Sequence, residues 1–110
     1  PKREMMRQKL DHAQSVLEGI CRSDFAAIEG NAARLGALSE EAGWRLIDTP
    51  EYVEQSALFR RNVEKLRKAA RESNLDAATL AYTQMTFSCV ECHKYCRNRK
   101  VALGPRLDAR

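Results

Sequence analysis

From Asn74 to Leu103 the chain contains neither glycine nor proline, so nothing in that stretch gives a helix cause to stop. Near its end stand Cys89-Val90-Glu91-Cys92-His93-Lys94-Tyr95-Cys96-Arg97. Cys89, Cys92 and His93 spell C-x-x-C-H, the spacing of covalent c-type haem attachment. Two thiols one helical turn apart can each add to a vinyl group on the porphyrin edge, and the imidazole that follows can reach the iron as proximal ligand. Two other chemistries stay open. Cys89, Cys92, His93 and Cys96 form a possible zinc set, and three clustered cysteines could hold iron–sulfur. Structural zinc sites, however, usually pair two knuckles on tight glycine-bearing turns, and this stretch has none. A purely structural role leaves the clustering unexplained. One covalent haem c, attached through Cys89 and Cys92, is the expected cofactor.

The chain has 110 residues, enough for one core and not two. No apolar run approaches membrane-spanning length, and no signal peptide is present. Haem c is attached outside the cytoplasm, so the motif implies export, to the periplasm or an equivalent compartment. Pro1-Lys2-Arg3 sets positive charge against the macrodipole of a helix start, which suits a cut end.

Residues 2–22 carry Met6, Leu10, Ala13, Leu17 and Ile20 at four-three spacing, one face of a helix. Ser23 and Asp24 are good N-cap residues, so a second helix follows almost without a loop. Its stripe is Phe25, Ile28, Ala32, Leu35, Ser39, Ala42 and Leu46, interrupted by Gly30, Gly36 and Gly43. Asp48-Thr49-Pro50-Glu51 then reads as a helix start, with Thr49 as N-cap and Pro50 in the first turn. Tyr52, Ser56, Phe59, Val63, Leu66 and Ala70 make the third stripe. Asn74 caps a fourth helix whose stripe is Leu75, Ala78, Tyr82, Met85, Cys89, Cys92 and Cys96, with His93 beside it. Four helices of about 20 residues with short connections predict an all-α, up-down-up-down antiparallel four-helix bundle. The haem-binding bundle would span residues 1–103, and Gly104-Pro105 would open a mobile tail, 104–110.

At this point the chain resembles the cytochrome c′ family, over essentially its whole length. The most specific part is the last helix, where that family follows C-x-x-C-H, after two residues, with an aromatic and then an arginine. Here Lys94-Tyr95 follow His93, Cys96 stands in the aromatic's place, and Arg97 comes next. Asp24 to Leu46, with Trp44 near its end, also resembles the family's second helix. The resemblance implies either five-coordinate haem that binds small gases or six-coordinate haem with a methionine from the first helix. It also implies a periplasmic protein, and family members often pair as homodimers through their first two helices.

Helix rise sorts the candidates. His93 lies 19 residues above Asn74, roughly 28 Å, and Met6 lies 16 above Arg22, roughly 24 Å. Trp44 and Tyr52, each 20 residues from its own helix's lower end, come out level at roughly 30 Å. All four converge on the top layer within about a turn. Met6 is on the core stripe and Met5 about 100° away from it, so Met6 is the expected second iron ligand. Met5, or no sixth ligand, are the alternatives, and methionine also serves as a flexible filler. Trp44 and Tyr52 are expected to line the haem and close the bundle end. By the same rise Cys21 and Cys96 are separated by roughly 30 Å and should not be bridged.

Lys2, Arg3, Arg7, Lys94, Arg97, Arg99 and Lys100 gather at the haem end, where Arg97 could pair with a propionate. Such a ring would steer an acidic redox partner, although it also reads as ordinary solvated surface. A net charge of only +4 gives no case for nucleic acid. No general acid or base stands near the motif, so an enzyme is not expected. The expected function is an electron carrier with His93 and Met6 on iron, and the alternative is a five-coordinate protein that binds a diatomic gas such as NO or CO.

Overall fold

The computed structural model describes residues 2–41, 44, 47 and 49–103. Four helices follow one another: α1 (Lys2–Cys21), α2 (Phe25–Leu38), α3 (Pro50–Arg71) and α4 (Leu75–Leu103). They form the expected antiparallel four-helix bundle, and no strand occurs among the described residues. At 29 residues α4 is roughly 43 Å long, which accounts for the 45 Å long axis of the molecule. Residues Ala42, Gly43, Leu46 and Asp48, the segment 104–110 and the side chains of Lys2, Arg3, Arg99 and Lys100 lie outside what is described.

The α1–α2 and α3–α4 junctions are built alike. Ser23 and Ser73 stand in the left-handed region, at φ 55° and 53°. The Asp24 amide donates back to the Gly19 carbonyl at 2.8 Å, and the Ser23 amide to Ile20 at 3.1 Å. The Asn74 and Ser73 amides do the same to Ala69 and Ala70, at 2.9 and 3.0 Å. This is the Schellman closure, which satisfies the last carbonyls of the outgoing helix. Asp24 and Asn74 then turn their side chains forward, accepting from the Ala27 and Ala77 amides at 3.1 and 3.0 Å. One residue therefore ends one helix and caps the next. Serine has a Cβ to accommodate at positive φ, and glycine does not. Ser23→Gly and Ser73→Gly should each stabilise the fold by about 0.5 kcal/mol, net of glycine's greater chain entropy. Chemical unfolding midpoints measure this, and a fall in both variants would contradict it.

Between α1 and α2 the backbones approach closely. A Cβ on Gly19 would sit 3.0 Å from Ile28 Cγ1 and 3.3 Å from the Asp24 carbonyl oxygen. Between α2 and α3, Glu29 receives Arg67 Nε at 2.9 Å and Arg71 at 3.3 Å. The Arg67 hydrogen bond, with both guanidinium charges behind it, holds the Glu29 carboxyl below its ordinary pKa. Ile28, Ala32, Leu35, Val63, Leu66, Ala78 and Met85 fill the interior.

Three expectations are corrected. First, α2 stops at Leu38 rather than running to Leu46, with Ser39 at its C-cap. The Ser39 hydroxyl donates to the Gly36 carbonyl at 2.7 Å, and the Glu40 and Glu41 amides bond three residues back, to the Ala37 and Leu38 carbonyls, both at 3.1 Å, which tightens the last turn and closes the helix. Trp44 is therefore not the end of a continuous helix, and its height cannot be counted from Asp24. Second, the buried face of α1 is Met5, Lys9 and Val16, not Met6, Leu10 and Leu17. Leu10 and Leu17 expose 57% and 45% of their surface. The physical reason is Lys9: a lysine on the inner face disguises the true stripe and promotes the neighbouring row of leucines. Third, Met5 is in the core and Met6 only half-buried against it, which reverses the expected order of burial.

Candidate haem-attachment site

The Gly- and Pro-free sequence of α4 lets one helix present Cys89, Cys92 and Cys96 on the inner side, in line with the buried Ala78, Ala81, Met85 and Ser88. All three cysteines are half-buried, and no disulfide joins any of the four in the chain. Cys21 is exposed at the far end of α1. The Cys96 side chain hydrogen-bonds that of Cys92, and together with burial this pushes the Cys92 thiol far above its usual range. Side chains spaced three, four and seven along one helix stand side by side rather than around a point. Among the described residues no three Cys, His, Asp or Glu converge in the way a metal ion alone requires.

His93 is on the edge of α4 and exposed, yet its ring is seated deeply enough for burial to lower its pKa. The cations of Lys9 and Arg97 lower it further. Neutral imidazole is the form that binds iron. Which neighbour His93 faces follows from a hydrogen bond that ties α4 to α1. Tyr82 donates its hydroxyl to the Ala13 carbonyl at 3.3 Å. Cys89 is two turns above Tyr82 and His93 three, on that same side. Apart from this tie, α1 and α4 touch far more sparsely than the other neighbouring pairs. Leu10, one turn above Ala13, and Val90, beside Cys89, border this seam and are 57% and 47% exposed. An apolar seam with two inward thiols and a neutral imidazole fits a porphyrin inserted edge-on.

The top layer is closed by aromatics. Trp44 is buried, its ring centroid 5.0 Å from that of Phe59 at 37°. Its Nε1 donates to Ser56 Oγ at 3.1 Å, and its carbonyl accepts from the Tyr52 hydroxyl. Burial, with Cys92 and Cys96 adding to it, pushes the Tyr52 phenol up to about 12, so it remains a donor at neutral pH. Thr49 Oγ1, which caps α3 by accepting from the Tyr52 amide, is also 2.5 Å from the Tyr95 hydroxyl. These contacts bring Trp44 and Tyr52 to the cysteine end of α4, although Trp44 arrives there from a turn. Arg97 is exposed, and Lys94 pairs with Glu91 at 3.4 Å.

Lys9 is the residue that sequence reasoning missed. Only 8% exposed, its Nζ stands 4.8 Å from the Trp44 centroid and 5.2 Å from that of Phe59. Its charge is felt by both Cys92 and His93. The available signal was a lysine four residues after Met5 and seven before Val16, on the helix row that is buried.

No protein-family model and no curated protein matches the chain. Solved structures do. A leucine-to-isoleucine variant of cytochrome c′ from Alcaligenes xylosoxidans, in complex with nitric oxide, superposes with a TM-score of 0.66 at 23% identity, over 84% of this chain and 87% of that one. A leucine-to-alanine variant of the same protein, also with nitric oxide, gives 0.56 at 19%, over 86% and 93%. The fold is that of cytochrome c′. Within the cytochrome c′ fold, the C-x-x-C-H segment of this chain falls on the fourth helix and the methionine pair on the first. No described helix is long and apolar enough to cross a membrane.

Proposed function

We propose that the chain is an exported haem c protein, with one haem joined to Cys89 and Cys92, His93 on the iron, and the opposite iron face free for a diatomic gas. The supporting observation is the sparse α1–α4 seam beside two inward thiols and a neutral imidazole. When bound, the haem supplies an iron that coordinates small uncharged ligands such as NO or CO. The residues of this chain do the rest. Cys89 and Cys92 fix the porphyrin edge, and His93 orients it against α4. Trp44, Phe59 and Tyr52 keep water from the top of the core, and Leu10 and Val90 border the outer side. The nitric oxide complexes of the two structural neighbours favour this reading over the carrier.

The register of α1 points the same way. Counting from the Ala13–Tyr82 tie, Met6 is roughly 10 Å up and His93 roughly 16 Å up, about one turn apart. Met5 is enclosed in the core. A second reading, the carrier with His93 and Met6 on iron, has one observation in its favour. Met6 is two turns from Ala13 and so shares its α4-facing side, and side chains lean toward helix N-termini. In antiparallel helices that lean carries Met6 upward and His93 downward, which narrows the offset.

Spin state separates the two. Produced with a c-type maturation system, the protein should keep its Soret band after denaturation and run about one haem heavier than the 12.5 kDa chain. The reduced form is expected to be high-spin and to bind CO rapidly, with Met6→Ala changing the CO rate less than about twofold. A low-spin spectrum with slow CO binding that Met6→Ala converts to high-spin would establish the carrier instead. A colourless protein containing zinc would end both.

A further inference from the structure

Lys9 is buried, and among the described residues it has no anionic partner. It belongs to no ion pair among the described residues, and the groups that face it are the rings of Trp44 and Phe59 and, on α4, Cys92 and His93. Two aromatic faces attract an ammonium ion but do not neutralise it. Lysine is almost never so completely buried unless it is paired, and an uncompensated buried charge is strongly unfavourable. Surface lysines escape by extending the head group into water. Here Nζ stands 4.8 and 5.2 Å from two ring centroids that are themselves 5.0 Å apart, so the head group rests against an aromatic pair.

Resting on the haem reading above, we propose that Lys9 is the internal counter-charge of the haem site: its ammonium group holds a haem propionate carboxylate and raises the iron's reduction potential. Arg97, which the family pattern suggested for a propionate, is exposed at the rim. There, solvent screens a charge far more than in the interior occupied by Lys9. A buried cation disfavours the oxidised iron, which carries one more positive charge than the reduced iron. Trp44 and Phe59 act through Lys9 by fixing where its charge sits. Lys9 is thus a positioning and tuning residue, not an iron ligand.

The test is a spectroelectrochemical titration of haem-loaded wild type, Lys9→Gln, Lys9→Leu and Lys9→Arg at one pH and ionic strength. Removing the charge in Lys9→Gln and Lys9→Leu should increase the ferric-to-ferrous ratio at fixed potential by about tenfold, a fall of about 59 mV for one electron. Lys9→Arg should restore most of the difference, which a packing role would not require. The propionate bending band in resonance Raman should move in Gln and Leu but not in Arg. Potentials equal within error in all four proteins would overturn the proposal. So would a shift in Lys9→Arg as large as that in Lys9→Gln. Should Lys9→Leu fail to load haem, the Gln and Arg variants decide alone. A wild type that matures without covalent haem would fail the haem reading itself, whereas a haem-bearing wild type indifferent to residue 9 overturns only this inference.

Discussion

Replacing His93 with alanine is expected to abolish the native visible spectrum while leaving the pigment covalently attached. The two effects separate because different residues cause them. Cys89 and Cys92 are untouched, so denatured His93→Ala protein should show the same haem stain and the same added mass as wild type. What goes is the imidazole on the α1 side of α4, where no described residue offers a second one: His12, the other histidine in the chain, is on α1 about two turns below Met6. Its loss should also lower the thermal midpoint, since a pigment that no longer docks cannot contribute its share of binding to the folded state. Millimolar imidazole added to the variant should restore much of the spectrum by filling the position left empty. An unaltered spectrum in His93→Ala would mean that another side chain holds the iron.

The second large effect is on stability. Phe59→Ala should cost about 3–5 kcal/mol, a large fraction of the 5–15 kcal/mol by which domains of this size are typically stable. Phe59 is almost wholly buried, and it backs the Trp44 ring and one side of the Lys9 ammonium. Leu66→Ala provides the comparison. Leu66 is fully buried on the same helix, two turns lower, and its truncation should cost about 2–5 kcal/mol. Denaturant melts would give similar losses for both. Only Phe59→Ala should also shift the haem spectrum, because only Phe59 touches the residues closing the top layer. Equal spectra in the two variants would show that the aromatic cluster is structural and nothing more.

Much of this architecture was legible in the chain itself. Asp24, Thr49 and Asn74 were readable as N-caps, because a short oxygen-bearing side chain before an apolar stripe has few other uses there. The stripes of α3 and α4 were likewise legible, since the rows read from the sequence are largely apolar or small; Asn62, buried on α3 and donating to the Gln84 carbonyl, was not. The α1 register was not. Hydrophobic periodicity assumes that inner positions are apolar, and Lys9 breaks that assumption at the point where the chain gathers its unusual chemistry. The length of α2 was missed for a different reason: apolar spacing continues past Leu38, while the backbone has already tightened into bonds three residues back at Glu40 and Glu41, which spacing does not reveal. Trp44 was expected in the right layer through the wrong geometry. Its level was counted along a helix that had already ended.

The two three-residue junctions have a consequence for how the molecule comes together. Each fuses a pair of neighbouring helices into a stiff unit, α1 with α2 and α3 with α4, and each unit is made of contacts close in sequence. Such local hairpins form quickly, whereas joining them requires closure of the longest loop in the chain. The molecule thus resembles a book, its spine at the α2–α3 interface and its fore-edge where the first helix meets the last. Cys89 and His93 are on that fore-edge, where neighbouring helices touch least, and Cys92 is one turn from Cys89. On the proposed haem reading, a maturation enzyme would need only a parted book, not an unfolded chain, to reach both thiols. Shutting the covers on the new pigment would then be the final act of assembly.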